Sequence, residues 1–288
     1  MKAYLDCYPC FFAQTLNTMR LITSDEEETW RVLKAVSLYL PQLSFDATPA
    51  EIGREVYRII SEMTGVDDPY REIKKRCTQQ ALDLYPDVKE KVKKAENSLL
   101  AAVKAAAAGN IIDFGAQAEF DITKDLDWIL KQDFAINDFE LFTRKAKESK
   151  QAVYLADNAG ETVFDRVLIE EMAVPVIYAV RDKPVINDAV TEDAVEAEID
   201  RVAQVVSSGS DAPGTILDHC SKDFRDILKS ADLIISKGQG NYEALSEVRG
   251  PIFFLLKAKC PVVAKDIGVP EGSIVLMGPR KQGPRIEI

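Results

Sequence analysis

From Gln151 onward the chain changes period. The runs "AVYLAD", "PVIYAVR", "AQVVSSG", "DLIISKG" and "PIFFLLK" are short and rich in β-branched or aromatic residues. The first four alternate with amphipathic stretches such as "ETVFDRVLIEEM", "DAVTEDAVEAEI" and "ILDHCSKDFRDILKS". Few architectures accept such a repeat: a parallel sheet joined by right-handed crossovers, with helices packed on both faces. A closing "SIVLMG" is expected to add a final strand, so residues 151–288 read as one α/β domain.

The first part of the chain follows a different rule. Apolar residues recur at spacings of three and four in "DEEETWRVLKAVSLYL", "TPAEIGREVYRIISEMTG" and "YPDVKEKVKKAENSLLAAVKAAAAGN". Thr48 before Pro49, with Glu51 just after, marks a helix start, and Gly109 marks a helix stop. Residues 1–110 therefore read as an all-α domain. Residues 111–150 form a mixed connecting segment with helical pieces around "DLDWILKQ" and "INDFELFTRKAKES".

Composition limits the partners. At 288 residues and 47% hydrophobic the chain has material for a full core in each part. Its formal charge of −11 repels polyanions, which argues against nucleic acid or an anionic membrane as the main partner. A small phosphorylated ligand remains compatible, because local cations or a metal outweigh the global field at short range. No run approaches the roughly 20 apolar residues of a membrane span, and the N-terminus does not read as a leader, so a cytoplasmic location is expected. The oligomeric state is left open.

In an open parallel sheet the residues just after each strand gather along one edge, where such folds bind ligands. Here those positions are Asp157 and Asn158; Asp182, Lys183, Asn187 and Asp188; Ser207 to Gly209; Lys237 and Gly238; and Lys257. Carboxylates with a carboxamide oxygen suit hard divalent cations such as Mg²⁺ or Mn²⁺. Lysines on neighbouring loops, and the N–H groups of the Gly-containing "SSGSDAPGT", suit the oxygens of a phosphate. Plainer roles exist for each: Asp157, Asn158 and Asp188 also favour turns and helix caps, and a strand-end lysine is usually solvated. Convergence of several loops on one edge favours the phosphate reading.

Five stretches then become recognisable in order: "AGNIIDFG", "DNAGE", "DKPVINDAV", "SSGSDAPGT" and "SKGQGNYE", preceded by "CYPC". Over nearly its whole length the chain resembles the DUF89 or ARMT1-like damage-control phosphatase family, in particular its short, CxxC-bearing prokaryotic and archaeal branch. The resemblance implies an all-α N-terminal domain beside a Rossmann-like α/β/α sandwich, and a metal-dependent phosphatase acting on small phosphorylated metabolites. It places the metal, one of Mn²⁺, Mg²⁺, Co²⁺ or Ni²⁺, on Asp157, Asn158 and Asp188. It puts Lys237 on the phosphate, gives Asp157 a catalytic part, and adds Gly238 and Asn241 from the Lys-Gly-x-x-Asn-Tyr loop. Asn110 and Asp113 become substrate contacts, although a helix stop and turn would also explain them. Where the eukaryotic branch carries Asp and Arg, this chain has Gln239 and Glu243.

Cys7-Tyr-Pro-Cys10 has metal or redox spacing but lacks the βαβ setting of a thioredoxin-like site, and Cys77, Cys220, Cys260 and His219 supply no second close pair. Packing is the favoured role for these thiols. His219, the sole histidine, falls in a helical stretch and is not expected to be catalytic. Two other function classes stay in view. One is a SAM-dependent carboxyl methyltransferase, which would want a Gly-rich turn after the first strand where "DNAGE" has a single Gly. The other is a metabolite-binding protein without turnover.

Overall fold

Alternation along the strands decides the architecture. The computed structural model describes residues 1–44, 46–109 and 132–279. One sheet contains β1 (Ile136–Asn137), β2 (Ala152–Leu155), β3 (Val176–Val180), β4 (Gln204–Ser207), β5 (Leu233–Lys237), β6 (Ile252–Lys257) and β7 (Ile274–Met277). Their spatial order is β1-β7-β6-β5-β2-β3-β4. Strands β2 to β6 run parallel, whereas β7 lies antiparallel to β6 and carries β1 parallel to itself. All six anticipated strands are present; β1 arises inside the segment read as helical, where Ile136 and Asn137 extend the sheet edge before the helix at Phe139 begins.

Because side chains alternate sides with a period of two, each strand feeds two cores. Tyr154, Tyr178, Ile235, Phe253 and Leu276 face one layer, with α4 (Arg71–Lys94), α5 (Ser98–Gly109), α6 (Phe139–Glu148), α7 (Thr162–Glu171) and α8 (Thr191–Glu196). Leu155, Ile177, Ile234, Phe254 and Val275 face the other, with α9 (Lys222–Ser230), α10 (Gly238–Leu245) and α11 (Pro261–Ile267). The result is an α/β/α sandwich.

The N-terminal helices divide between two cores. α1 (Cys7–Ile22), α2 (Glu26–Tyr39) and α3 (Pro49–Thr64) bury Phe11, Met19, Val32, Val36, Ile52, Val56 and Ile60 against one another. Asp25 caps α2, and Thr48 with Glu51 forms a full capping box on α3, each cap contributing about 1 kcal/mol. α4 and α5 instead join the sheet's own core. α4 also continues through Pro86, whose ring removes a backbone donor from the helix interior. The buried stripe Cys77, Ala81, Val88 and Val92 continues on both sides of Pro86, so tertiary packing overrides the local penalty. Lys74 on α4, with its amine 3.0 Å from both Asp68 and Asp193, ties the helix to α8 in a buried ion triad.

Strand β2 is central: β3 and β4 lie to one side, and β5, which follows β4 in sequence, lies on the other. That reversal of direction opens a crevice at the carboxyl ends of β2 and β5, the position where open α/β sheets take ligands. α1 and α3 form the wall opposite, since Cys7, Cys10, Phe11, Pro49 and Gly53 face the same cavity as the residues after β2. No helix among the described residues is long and apolar enough to cross a membrane.

Candidate active site

Two loops build the floor of this cavity. After β2 the chain continues through Asp157 and Asn158; after β3 it makes an excursion from Arg181 to Val190. Asn158 and Asp188 form an antiparallel backbone bridge. On either side of it, the N–H of Ala189 donates to the carbonyl of Asp157 at 2.8 Å, and the N–H of Ala159 to that of Asn187 at 2.9 Å. Backbone pairing thus brings Asp157, Asn158, Asn187 and Asp188 to one cavity of about 570 Å³, well within the range of small-molecule sites. Ile186 turns the excursion back toward β2 with a φ of +48°, a conformation rare for a β-branched residue.

Asp188 and Asn158 are fixed from behind. Oδ2 of Asp188 accepts from Nε of Arg181 at 2.7 Å, and Arg181, only 2% exposed, also donates to Thr215 and Asn241. Nδ2 of Asn158 donates to Oε1 of Glu161 at 2.6 Å and to Oδ2 of Asp157 at 3.3 Å. Beneath them the amine of Lys237 donates to Oε2 of Glu161 at 3.0 Å and to Oδ1 of Asp165 at 2.6 Å. Asp165 accepts in addition from the hydroxyls of Tyr154 and Tyr178, both at 2.7 Å.

The electrostatics of the floor are unbalanced. Burial, then the carboxylates of Glu161 and Asp188, push Asp157 well above the ordinary carboxylate range, against the pull of Lys259 and Arg181. Burial also raises Asp188, which the Arg181 guanidinium only partly offsets. Lys237 is held above its usual value because Asp165 and Glu161 outweigh the opposing effect of burial. Asp157, Glu161, Asp165 and Asp188 are buried with Lys237 and Arg181, so four carboxylates meet two cations. Carboxylates thus outnumber cations by two, and with all four ionised this set, beside an amide oxygen, fits the charge of a divalent cation. No group of three or more His, Cys, Asp or Glu side chains among the described residues has a metal-holding arrangement. Oxygen donors that could hold a cation at this floor are the carboxylates of Asp157 and Asp188 and the amide of Asn158.

The anticipated site residues divide. Asp157, Asn158 and Asp188 come together on the cavity floor. Gly238 sits directly against the carboxylate of Asp157. Lys237 is corrected: it is fully buried, and its amine is committed to Glu161 and Asp165 instead of facing a phosphate in the cavity. Asn241 is likewise fully buried, accepting from Thr215 and Arg181 and donating to the carbonyls of Ala156 and Lys237, so it ties loops together beneath the cavity. Ser207 and Gly209 are not among the residues that line the cavity; Gly209 N–H donates to Ser207 Oγ, which itself donates to Asp182. Pro213 is the part of that loop on the cavity wall. Lys257 ends β6 away from the cavity, and Lys259, in the next turn, lines it. Asn110 and Asp113 lie outside the described residues. His219 is exposed on a short 3₁₀ turn, Leu217–His219.

Several residues of the site were not anticipated. Arg181 precedes the recognised "DKPVINDAV" by one position, and Glu161 closes "DNAGE" without any sign that it would support its neighbour's amide. Cys260 joins Cys7 and Cys10 on the cavity wall, as do Lys259, Lys265 and Glu243. Burial pushes Glu243 up to about 7, with Gln239 Nε2 donating to it at 2.9 Å.

An acid–amide–acid floor at the switch point of a parallel sheet, walled by helices, defines a Rossmann-like α/β protein built around a small-ligand site. The chain belongs to the damage-control phosphatase ARMT1-like domain family, whose model matches residues 3–275. It is 34% identical over 285 residues to damage-control phosphatase PH1575 of Pyrococcus horikoshii, covering 96% of this chain and 98% of that one. It is 35% identical over 286 residues to a damage-control phosphatase of Archaeoglobus fulgidus, with the same coverage. The crystal structure of the Pyrococcus horikoshii DUF89 protein superposes with a TM-score of 0.92 at 33% identity, covering 97% of this chain and 100% of the other.

Proposed function

We propose that the protein is a metal-dependent phosphatase that hydrolyses phosphomonoesters of small, damaged or side-product metabolites, such as sugar phosphates or cofactor intermediates. The observation that carries this reading is the convergence of Asp157, Asn158 and Asp188 on one cavity, over a cluster in which carboxylates outnumber cations by two. Asp157, Asn158 and Asp188 would hold Mn²⁺, Mg²⁺, Co²⁺ or Ni²⁺. When bound, such an ion supplies Lewis-acid polarisation of a phosphoryl oxygen and acidifies water.

The chain's own residues supply positioning and charge. Lys259, on the cavity wall and close enough for its charge to act on Asp157, is the cation placed to meet phosphate oxygens. Gln239 orders the turn that carries it by accepting from the Lys259 N–H at 3.1 Å. The organic part of the ester would extend toward α1 and α3, past Gln14, Tyr4 and the Gln239–Glu243 pair. Those helices close the crevice from the side opposite the sheet and limit water at the reacting centre. Names given to the relatives support the phosphatase assignment.

The test is a phosphomonoester panel incubated with purified protein and each of the four cations, then with EDTA. Phosphate release that stops on chelation is expected. Turnover unaffected by EDTA, or ligand binding with no release of phosphate, would contradict the proposal.

A further inference from the structure

Lys237 has no exposed surface, so a charge placed inside the sandwich at this position needs a purpose other than touching substrate. Its amine is the start of a chain of contacts that ends on the cavity floor. Lys237 Nζ donates to Oε2 of Glu161, and Oε1 of the same carboxylate accepts from Nδ2 of Asn158. The far side of the amine is fixed by Asp165, itself clamped between the hydroxyls of Tyr154 and Tyr178. Every member therefore has a set place.

The consequence falls on the Asn158 amide. An amide has one acceptor end and one donor end, and the two ends exchange places by a rotation of half a turn. With the ammonium donating to one of its oxygens, Glu161 stands as an acceptor and requires the NH₂ end of Asn158 on its side. Asp157 Oδ2 reinforces this, accepting from the same nitrogen. The oxygen is left for the cavity. Only that orientation gives a cation a third oxygen donor; the reverse one would turn an N–H toward it.

We propose that Lys237 and Glu161 are positioning residues that act through Asn158, holding the amide with its oxygen toward the cation site. This inference rests on the metal-phosphatase reading but is separable from it. Outer partners of metal ligands typically change affinity or activity by about 10- to 100-fold when removed.

The decisive variants are Glu161→Gln and Lys237→Met, with Mn²⁺ affinity measured by calorimetry in the absence of substrate and phosphate release measured separately. In Glu161→Gln the Lys237 ammonium takes the oxygen of the introduced amide and leaves its NH₂ end facing Asn158, which removes the acceptor that oriented that side chain, so Mn²⁺ affinity should fall about tenfold or more while the fold and the Lys237–Asp165 pair persist. Lys237→Met should weaken Mn²⁺ in the same way, and at saturating Mn²⁺ its substrate KM should match wild type. If Lys237→Met fails to fold, Glu161→Gln carries the test alone. Unchanged Mn²⁺ affinity in Glu161→Gln overturns the inference, as does a Lys237→Met protein with normal Mn²⁺ affinity and a raised KM. Wild-type protein that binds no divalent cation overturns the underlying functional reading and this inference with it.

Discussion

Gly238 makes room for Asp157. A Cβ at residue 238 would overlap Oδ2 of that carboxylate, and the φ of +75° at this position strains any L side chain. The first residue of α10 is thus the packing partner of a floor carboxylate, and the positive end of the helix dipole lies next to its charge. Gly238→Ala is expected to cost about 1–2 kcal/mol for the backbone and roughly 1–3 kcal/mol for the displaced carboxylate. Urea unfolding should show the loss, and phosphate release should fall at least about tenfold. An alanine variant with wild-type stability and turnover would mean that Asp157 is free to move.

The raised pKa of Asp157 has a sign that can be checked. Folded protein without metal keeps a proton on this group at pH values where the unfolded chain has lost it, so stability falls as pH rises from about 4 toward neutrality. Asp157→Asn removes that slope. In EDTA at about pH 8 the variant should melt roughly 2–4 °C above wild type, the gap closing near pH 4. Excess Mn²⁺ should reverse the order, because only wild type gains from the cation. Thermal melts of both proteins at the two pH values, with EDTA or Mn²⁺, decide the matter; a variant less stable than wild type throughout would contradict it.

Lys259 and Lys257 lie on the same short segment but only Lys259 lines the cavity. Lys259→Ala should lower kcat/KM for a phosphomonoester about 10- to 100-fold, the usual worth of a charge-assisted hydrogen bond. Lys257→Ala should stay within about twofold. Steady-state kinetics of the two variants side by side provides the comparison.

Thiol chemistry offers a probe of the helical wall. Cys10 is exposed on the cavity, Cys7 and Cys260 are half-buried there with pKa values raised mainly by burial, and Cys220 is buried and pushed up to about 12. Maleimide should label Cys10 first, by peptide mass spectrometry, and the adduct should reduce turnover by intruding on the cavity. Cys10→Ser should protect. Labelling of Cys10 that leaves activity intact would show that substrate does not approach α1.

The parts of the fold that were legible in the sequence are those governed by a local period. Strands β2 to β6 announce themselves by β-branched or aromatic runs, and Thr48 with Glu51 announces the start of α3, where the structure closes a capping box. The direction of β7 does not follow from such a pattern, since an apolar run is the same read either way. Asp157, Asn158 and Asp188 could be picked out because strand-end positions of a parallel sheet share an edge. Which way each side chain turns from that edge could not. Lys237 closes β5 as Lys257 closes β6, yet Lys237 turns inward because Glu161 and Asp165 on the neighbouring βα unit offer it two carboxylates. Those partners lie far from it in sequence, and only assembled packing reveals them. The same holds for Cys260, whose place opposite Cys7 and Cys10 depends on how α11 meets α1.

The central claim is that Asp157, Asn158 and Asp188 hold one divalent cation between them. Anomalous diffraction from Mn²⁺-soaked crystals at the manganese edge tests it most directly. A single strong peak within coordination distance of all three side chains, absent after EDTA treatment, is the predicted result. No peak at this floor, or a peak bound elsewhere while phosphate release remains Mn²⁺-dependent, would contradict the account.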